Sequence, residues 1–319
     1  MRRARGIGLV ELMVAMAISL LITLVIMTAY LGGVSTQRSQ SDMTRLQEAA
    51  RFAYLLLAKE LKKSGHRNPN SYPNANTGAP PAPFCVDGVA GFAGSALAPA
   101  NDPSTLTLGD GATATVLNRS DSVTVRFYGD DLVANTPENA PTPDPAIVDC
   151  LGNTVGQATL DSGLVTNFAG QQTLVEDTLY VAADANSGEP SLFCSSTTRV
   201  SGTVTRTATV ALIPGVESVQ LLYGEDSDGD AQVDRYVTAA NLGSTFNILN
   251  VMVSVVIRTQ NRIDMAAAQR VFNHFGEAYA PSGAAPNGDA GSVFAAPLDQ
   301  RMRAHFSSTV ALRNFPTCQ

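Results

Sequence analysis

The sequence predicts an α+β fold, with one long N-terminal α-helix packed on an antiparallel β-sheet head. Three observations predict it. No charged residue occurs from Leu12 through Gln37. Apolar residues then recur at spacings of three and four as far as Leu61. Beyond that point the period changes to two, with loops rich in Pro, Gly and Asn between the alternating runs.

The apolar run from Leu12 to Leu31 is long enough for a bilayer core, which takes about 20 residues. Arg2, Arg3 and Arg5 precede it, and such residues hold a terminus on the cytoplasmic side and send the rest of the chain outward. A secretory signal peptide would carry a shorter apolar region and a small-x-small cleavage site. No such site follows Leu31-Gly32-Gly33. Glu11 is the residue that a plain anchor leaves unexplained. A carboxylate at the edge of an apolar span is costly, so it marks a functional position.

Met43, Leu46, Ala50, Ala53, Leu57 and Leu61 continue the helix as an amphipathic stripe. Lys62 and Lys63 suit the negative end of the helix dipole, and Gly65 is a natural stop. From Ile7 to Ser64 such a helix would extend about 87 Å at roughly 1.5 Å per residue. The apolar half is assigned to 7–33, the amphipathic half to 34–65 and a β-rich extracytoplasmic head to 66–319. Within the head, 68–104 reads as a long connection without regular structure. Strands are expected around Val123-Val125-Phe127, Val219-Leu221-Tyr223 and Val251-Val253-Val255-Ile257.

A net charge of −7 gives no electrostatic footprint for nucleic-acid backbones, so no direct nucleic-acid contact is expected. Cys85, Cys150, Cys194 and Cys318 form no CxxC, and all lie beyond the apolar run. In an exported head they suggest two disulfides, for which three pairings exist. Cys150–Cys194 with Cys85–Cys318 is preferred. His66, His274 and His305 show no metal-ligand spacing, and GxSxG, P-loop and GxGxxG motifs are absent. No enzymatic activity is expected. Arg301, Arg303 and Arg313 read as solvent-facing residues of an edge strand.

The densest candidate site is the segment from Asp226 to Asp234. Asp226, Asp228, Asp230 and Asp234 stand at loop positions one, three, five and nine, and Gln232 at seven can offer its carbonyl. That is the oxygen pattern a hard cation needs, and calcium is the expected cofactor. Ala231 replaces the usual Gly at position six and Val237 replaces a bidentate Glu at twelve, so the loop is not a full EF-hand.

The N-terminus also resembles a known family. Gly6-Ile7-Gly8-Leu9-Val10-Glu11-Leu12 is similar to the class III signal of type IV pilins and type II secretion pseudopilins. The resemblance implies that prepilin peptidase removes residues 1–6 after Gly6, that Ile7 becomes the N-methylated first residue, and that Glu11 stands fifth. Most members have Phe where this chain has Ile7. In a stacked filament Glu11 would pair with a neighbour's terminal amine and set the register. The stretch from Glu48 to Leu61, the segment Val216–Gly224 and the segment Phe306–Asn314 resemble the PilW subfamily of minor pilins. Membership implies a structural subunit that helps prime pilus assembly and sits near the tip. Its partners would be other minor pilins, the major pilin, the inner-membrane assembly platform and a tip adhesin. The head would be periplasmic on a single-pass inner-membrane anchor before assembly, and at the cell surface afterwards. Two other readings are a J-type pseudopilin of type II secretion and a membrane-anchored calcium-dependent surface binding protein.

Overall fold

A computed structural model describes residues 8–66, 96–131, 142–156, 173–200, 202–243, 247–262 and 271–313. The chain divides into two units, residues 1–45 and residues 46–319. Helix α1 (Leu9–Lys63) contributes to both. Glu11 lies in its first turn and Lys62 and Lys63 in its last, each complementing the dipole. The helix ends as expected: Gly65 takes φ +72°, a conformation open to glycine, and its N–H donates to the Arg126 carbonyl at 2.9 Å.

In the first unit Leu9–Val34 is apolar and long enough to cross a membrane, and none of it is buried in the protein. In the second unit the expected stripe is real: Leu46, Ala50, Ala53, Leu57 and Leu61 are all buried. Met43, placed at the start of that stripe, is instead 42% exposed. The last turn also buries charge. Glu60 is 1% exposed, and its carboxylate lies 2.6 Å from Lys63 Nζ. Lys63 donates to the Val148 carbonyl at 2.6 Å, stands 3.7 Å from Asp177, and sits over the Phe127 ring.

The strands follow in chain order. β1 (Leu97–Ala100), β2 (Thr105–Thr107), β3 (Thr113–Thr115) and β4 (Ser122–Tyr128) precede the long β5 (Thr173–Ala183), β6 (Pro190–Val200) and β7 (Thr203–Pro214). Next come β8 (Val216–Glu225), β9 (Arg235–Val237), β10 (Ile248–Arg258), β11 (Val271–Asn273), β12 (Val293–Ala295) and β13 (Arg303–Ala311). One antiparallel sheet has the order β1-β4-β5-β6-β7 and a second has β13-β10-β8-β9. Small hairpins β2-β3 and β11-β12 stand apart from them. One apolar cluster joins the helix stripe to both sheets, through Val125 and Phe127 in β4, Val175 and Leu179 in β5, and Leu221, Val253 and Val255 in β8 and β10.

The chain passes from one sheet to the other at Gly215. Its N–H donates to Pro190 O and its carbonyl accepts from Arg258 N, both at 2.8 Å. A Cβ there would lie 2.7 Å from the Arg258 carbonyl, so glycine is required by close approach as well as by its φ of +86°.

The three expected strands are β4, β8 and β10. The stretch 68–104 is not wholly irregular: Leu97–Ala100 pairs with β4. Pro99 hid this strand, but β1 is an edge, where a missing N–H is tolerated. The arginine expectation is also corrected. Arg303 opens edge strand β13, yet its side chain is 3% exposed and bonds Glu217 at 2.5 Å and Asp299 at 2.7 Å. Arg301 binds Glu189 at 2.7 Å, and Arg258 joins Glu189 to Glu217. Three acids turned toward the strand end draw these arginines inward; Arg313 is exposed.

Candidate functional site

Glu11 sits in the first turn of α1, inside the apolar span. Its Oε2 accepts the Gly8 N–H at 3.2 Å, so the carboxylate folds back over amides that the helix itself cannot satisfy. Gly6 and Ile7 lie outside the described residues.

The acidic loop joins β8 to β9. Carboxylate oxygens of Asp226, Asp228 and Asp234 come within 4.8 Å of one another. Backbone amides hold them there. Asp226 accepts from Gly229 N at 2.7 Å and from Ala231 N at 2.9 Å, and Asp234 accepts from Ser227 N at 2.7 Å and Ser227 Oγ at 2.5 Å. The Ser227 bonds hold the Asp234 carboxyl below its ordinary range. Ala231 takes φ +64°, the left-handed conformation for which such loops usually use glycine. Asp230 is engaged otherwise: its carboxylate accepts the Gln232 backbone N–H at 2.8 Å and the side-chain amide at 2.9 Å. The donor set of three close carboxylates suits a hard divalent cation.

Cys150 and Cys194 are disulfide-bonded with Cα atoms 6.4 Å apart, pinning the segment before β5 to β6. Cys85 and Cys318 lie outside the described residues. Around the bridge Asp177 accepts the Cys150 N–H at 2.8 Å, and Asp149 pairs with Arg206.

The fold brings together two histidines that sequence spacing kept apart. Ser254 Oγ lies 2.8 Å from both His274 Nδ1 and His305 Nε2, and Ser218 Oγ lies 3.0 Å from His274 Nε2. Burial, and then His305, push His274 down to about 3, so it stays neutral. No carboxylate bonds either ring among the described residues, and His274 is fully buried. This is a polar contact inside the head, without the exposed nucleophile and oriented base that acyl chemistry needs. The pairing was not readable from sequence, because His274 follows β11 and His305 lies in β13, and only the fold brings both beside Ser254 of β10.

Residues 178–314 match the family model of PilW, the type IV pilus-assembly protein W. This part of the chain is PilW-like. The match runs from β5 to just past β13 and so includes the acidic loop and both histidines. It does not include the helix, whose apolar span and Glu11 are therefore a separate observation. Among solved structures, a type IV-like pilin from Thermus thermophilus is similar over 85% of this chain and 97% of its own, at 14% identity and a TM-score of 0.39. No curated protein matches the chain. The PilW match and the helix-plus-sheet architecture support a type IV pilus-related protein, and its N-terminal helix is long and apolar enough to cross a membrane.

Proposed function

We propose that the chain is a non-enzymatic minor pilin of the PilW type, which helps to prime type IV pilus assembly at the inner membrane and sits near the tip. The observation that carries this reading is the combination of a PilW-like head with an apolar helix holding one carboxylate, Glu11, in its first turn. Prepilin peptidase would cut after Gly6. The freed and methylated Ile7 amine of one subunit and Glu11 of another would then satisfy each other in the helical core of the filament. A head of this size would crowd a filament of identical copies, which favours a rare subunit placed where assembly starts. Its partners would be the other minor pilins, the major pilin, the assembly platform and a tip adhesin. The family description names pilus assembly, which favours the pilus over a secretion pseudopilus. Asp226, Asp228 and Asp234 would hold calcium and stiffen the β8–β9 turn. Calcium should then raise the melting temperature of the wild-type chain more than that of Asp234→Asn.

The test is Glu11→Ala, expressed in a piliated host that lacks its own copy. The variant should accumulate in the inner membrane, be absent from sheared pili, and leave few surface pili by electron microscopy. Normal piliation with the variant present in sheared pili would overturn the reading.

A further inference from the structure

A second group of acids lies away from the β8–β9 loop, where the turn after β1, strand β8 and the 3-10 turn Ala290–Ser292 meet. Asp102 accepts the Gly291 N–H at 3.0 Å, and Asn101 donates to the Gly288 carbonyl at 3.0 Å. Gln220, fully buried in β8, donates through Nε2 to the Arg119 carbonyl at 2.6 Å. These groups converge beside the Cα of Gly291. A Cβ on that residue would lie 2.2 Å from Arg119 O, 2.3 Å from Asp102 Oδ1 and 2.3 Å from Gln220 Nε2. Asp289, 2% exposed, stands two residues before Gly291, and its Oδ2 accepts the Tyr279 hydroxyl at 2.7 Å.

Among the described residues, four oxygens at this junction are buried and have no hydrogen-bond donor: Asn101 Oδ1, Asp102 Oδ1, Gln220 Oε1 and Asp289 Oδ1. Two belong to carboxylates, and a third carboxyl, Asp121, stands behind them, accepting Asp102 N at 2.9 Å and Leu221 N at 2.8 Å. Among the described residues none of the three acids has an ion-pair partner. Buried acceptors without donors are costly, and like charges without a counter-charge add to the cost. A shared proton serves two oxygens at most. A hard cation takes six to eight, in a flexible geometry that suits carboxylate, amide and carbonyl oxygens alike. A cavity of about 300 Å³, lined by Asp102, Pro103, Ser104, Val116 and Arg119, gives a route to Asp102.

We propose that Asn101, Asp102, Gln220 and Asp289 hold a calcium-sized divalent cation, with Asp121 and Tyr279 orienting its carboxylate ligands. The three acids do not gather as tightly as those of the β8–β9 loop, so amide and carbonyl oxygens carry part of the coordination. Bound there, the cation would clamp the 288–292 segment to β8 and to the turn after β1. The inference does not depend on the pilus reading or on a cation in the loop.

The test uses the full chain in detergent micelles, with Asp228→Asn and Asp234→Asn disabling the exposed loop. Terbium is the probe: the chain has no tryptophan, so tyrosine must sensitise its emission, and Tyr279 touches a ligand carboxylate. Sensitised emission should saturate at one equivalent and be displaced by calcium. It should collapse in Tyr279→Phe, although calcium still raises that variant's melting temperature. Asp289→Asn should weaken calcium binding by about tenfold or more. A loop-disabled chain with neither sensitised emission nor a calcium-dependent melting shift would overturn the proposal and leave the four oxygens to water or a shared proton. Emission unchanged in Tyr279→Phe would overturn it too, by placing the ion elsewhere. If Asp289→Asn does not fold, the Tyr279→Phe arm still decides.

Discussion

The two halves of α1 have the same backbone and opposite surroundings. Between Leu9 and Val34 large apolar side chains are exposed on every side of the helix, Leu20 at 71% and Val25 at 65% among them. Between Leu46 and Leu61 one stripe, made by Leu46, Ala50, Ala53, Leu57 and Leu61, is buried against the sheets, while Phe52 and Leu55 on the other side stay exposed. A helix that is apolar all round needs lipid or other helices, whereas a one-sided helix needs only its own domain. The contrast explains how one element can serve as anchor and as core. It also locates stability: the second unit owes its fold to the stripe, and the first contributes none of that core.

The sharpest way to break this comparison is to place the same charge in each half. Leu57→Asp puts a carboxylate without a partner at a site that is 1% exposed, and should cost the head more than about 4 kcal/mol. Leu20→Asp should leave the melting of the head unchanged in detergent, while costing about 3 kcal/mol of membrane insertion. Circular dichroism melts of the two variants, with membrane fractionation, check both. Equal losses of head stability would contradict the division.

Removing the disulfide should have the next largest effect. Joining Cys150 to Cys194 closes a loop of 44 residues, worth about 4 kcal/mol by loop entropy and typically about 2–4 kcal/mol in practice. Cys150→Ser with Cys194→Ser should lower the urea midpoint accordingly. A change confined to the first unit would show that the bridge does not support the head.

Sequence reading reached the helix and three strands because period and composition agree there. It missed β5 and β6, each buried on both faces, because Glu176, Asp177, Ser195 and Ser196 interrupt the alternation. Their polar groups are matched by partners that only the folded sheet supplies, such as Arg126 and Arg199 on Glu176. At the loop, spacing identified five candidates and the fold gathers three, Asp226, Asp228 and Asp234. The acids around Gly291 left no sequence signal, since Asp289 lies more than a hundred residues beyond Asp102 and Asp121.

The smallest expected effect concerns the buried charge in the last helical turn. Burial pushes Glu60 up to about 7, against the pull of Lys63 and helped by repulsion from Asp177. The folded chain therefore takes up a proton near neutrality that the unfolded chain, with an ordinary value of 4.5, does not. The contribution of Glu60 to stability should rise as pH falls from about 7 to 4.5, and that contribution should disappear in Glu60→Gln. His274 titrates the opposite way but cancels in the difference between the two chains. Thermal melts across this window should separate wild type from variant by about 1–2 kcal/mol more at the acidic end. A constant difference would show that Glu60 keeps its charge throughout.

Processing of the proposed pilus subunit is read out by the intact mass and N-terminal sequence of the chain from membranes with and without prepilin peptidase. A chain beginning at N-methylated Ile7 only where the peptidase is present is the predicted result. A chain beginning at Met1 in both membranes would overturn the proposed function and leave a simple anchored protein with a PilW-like head.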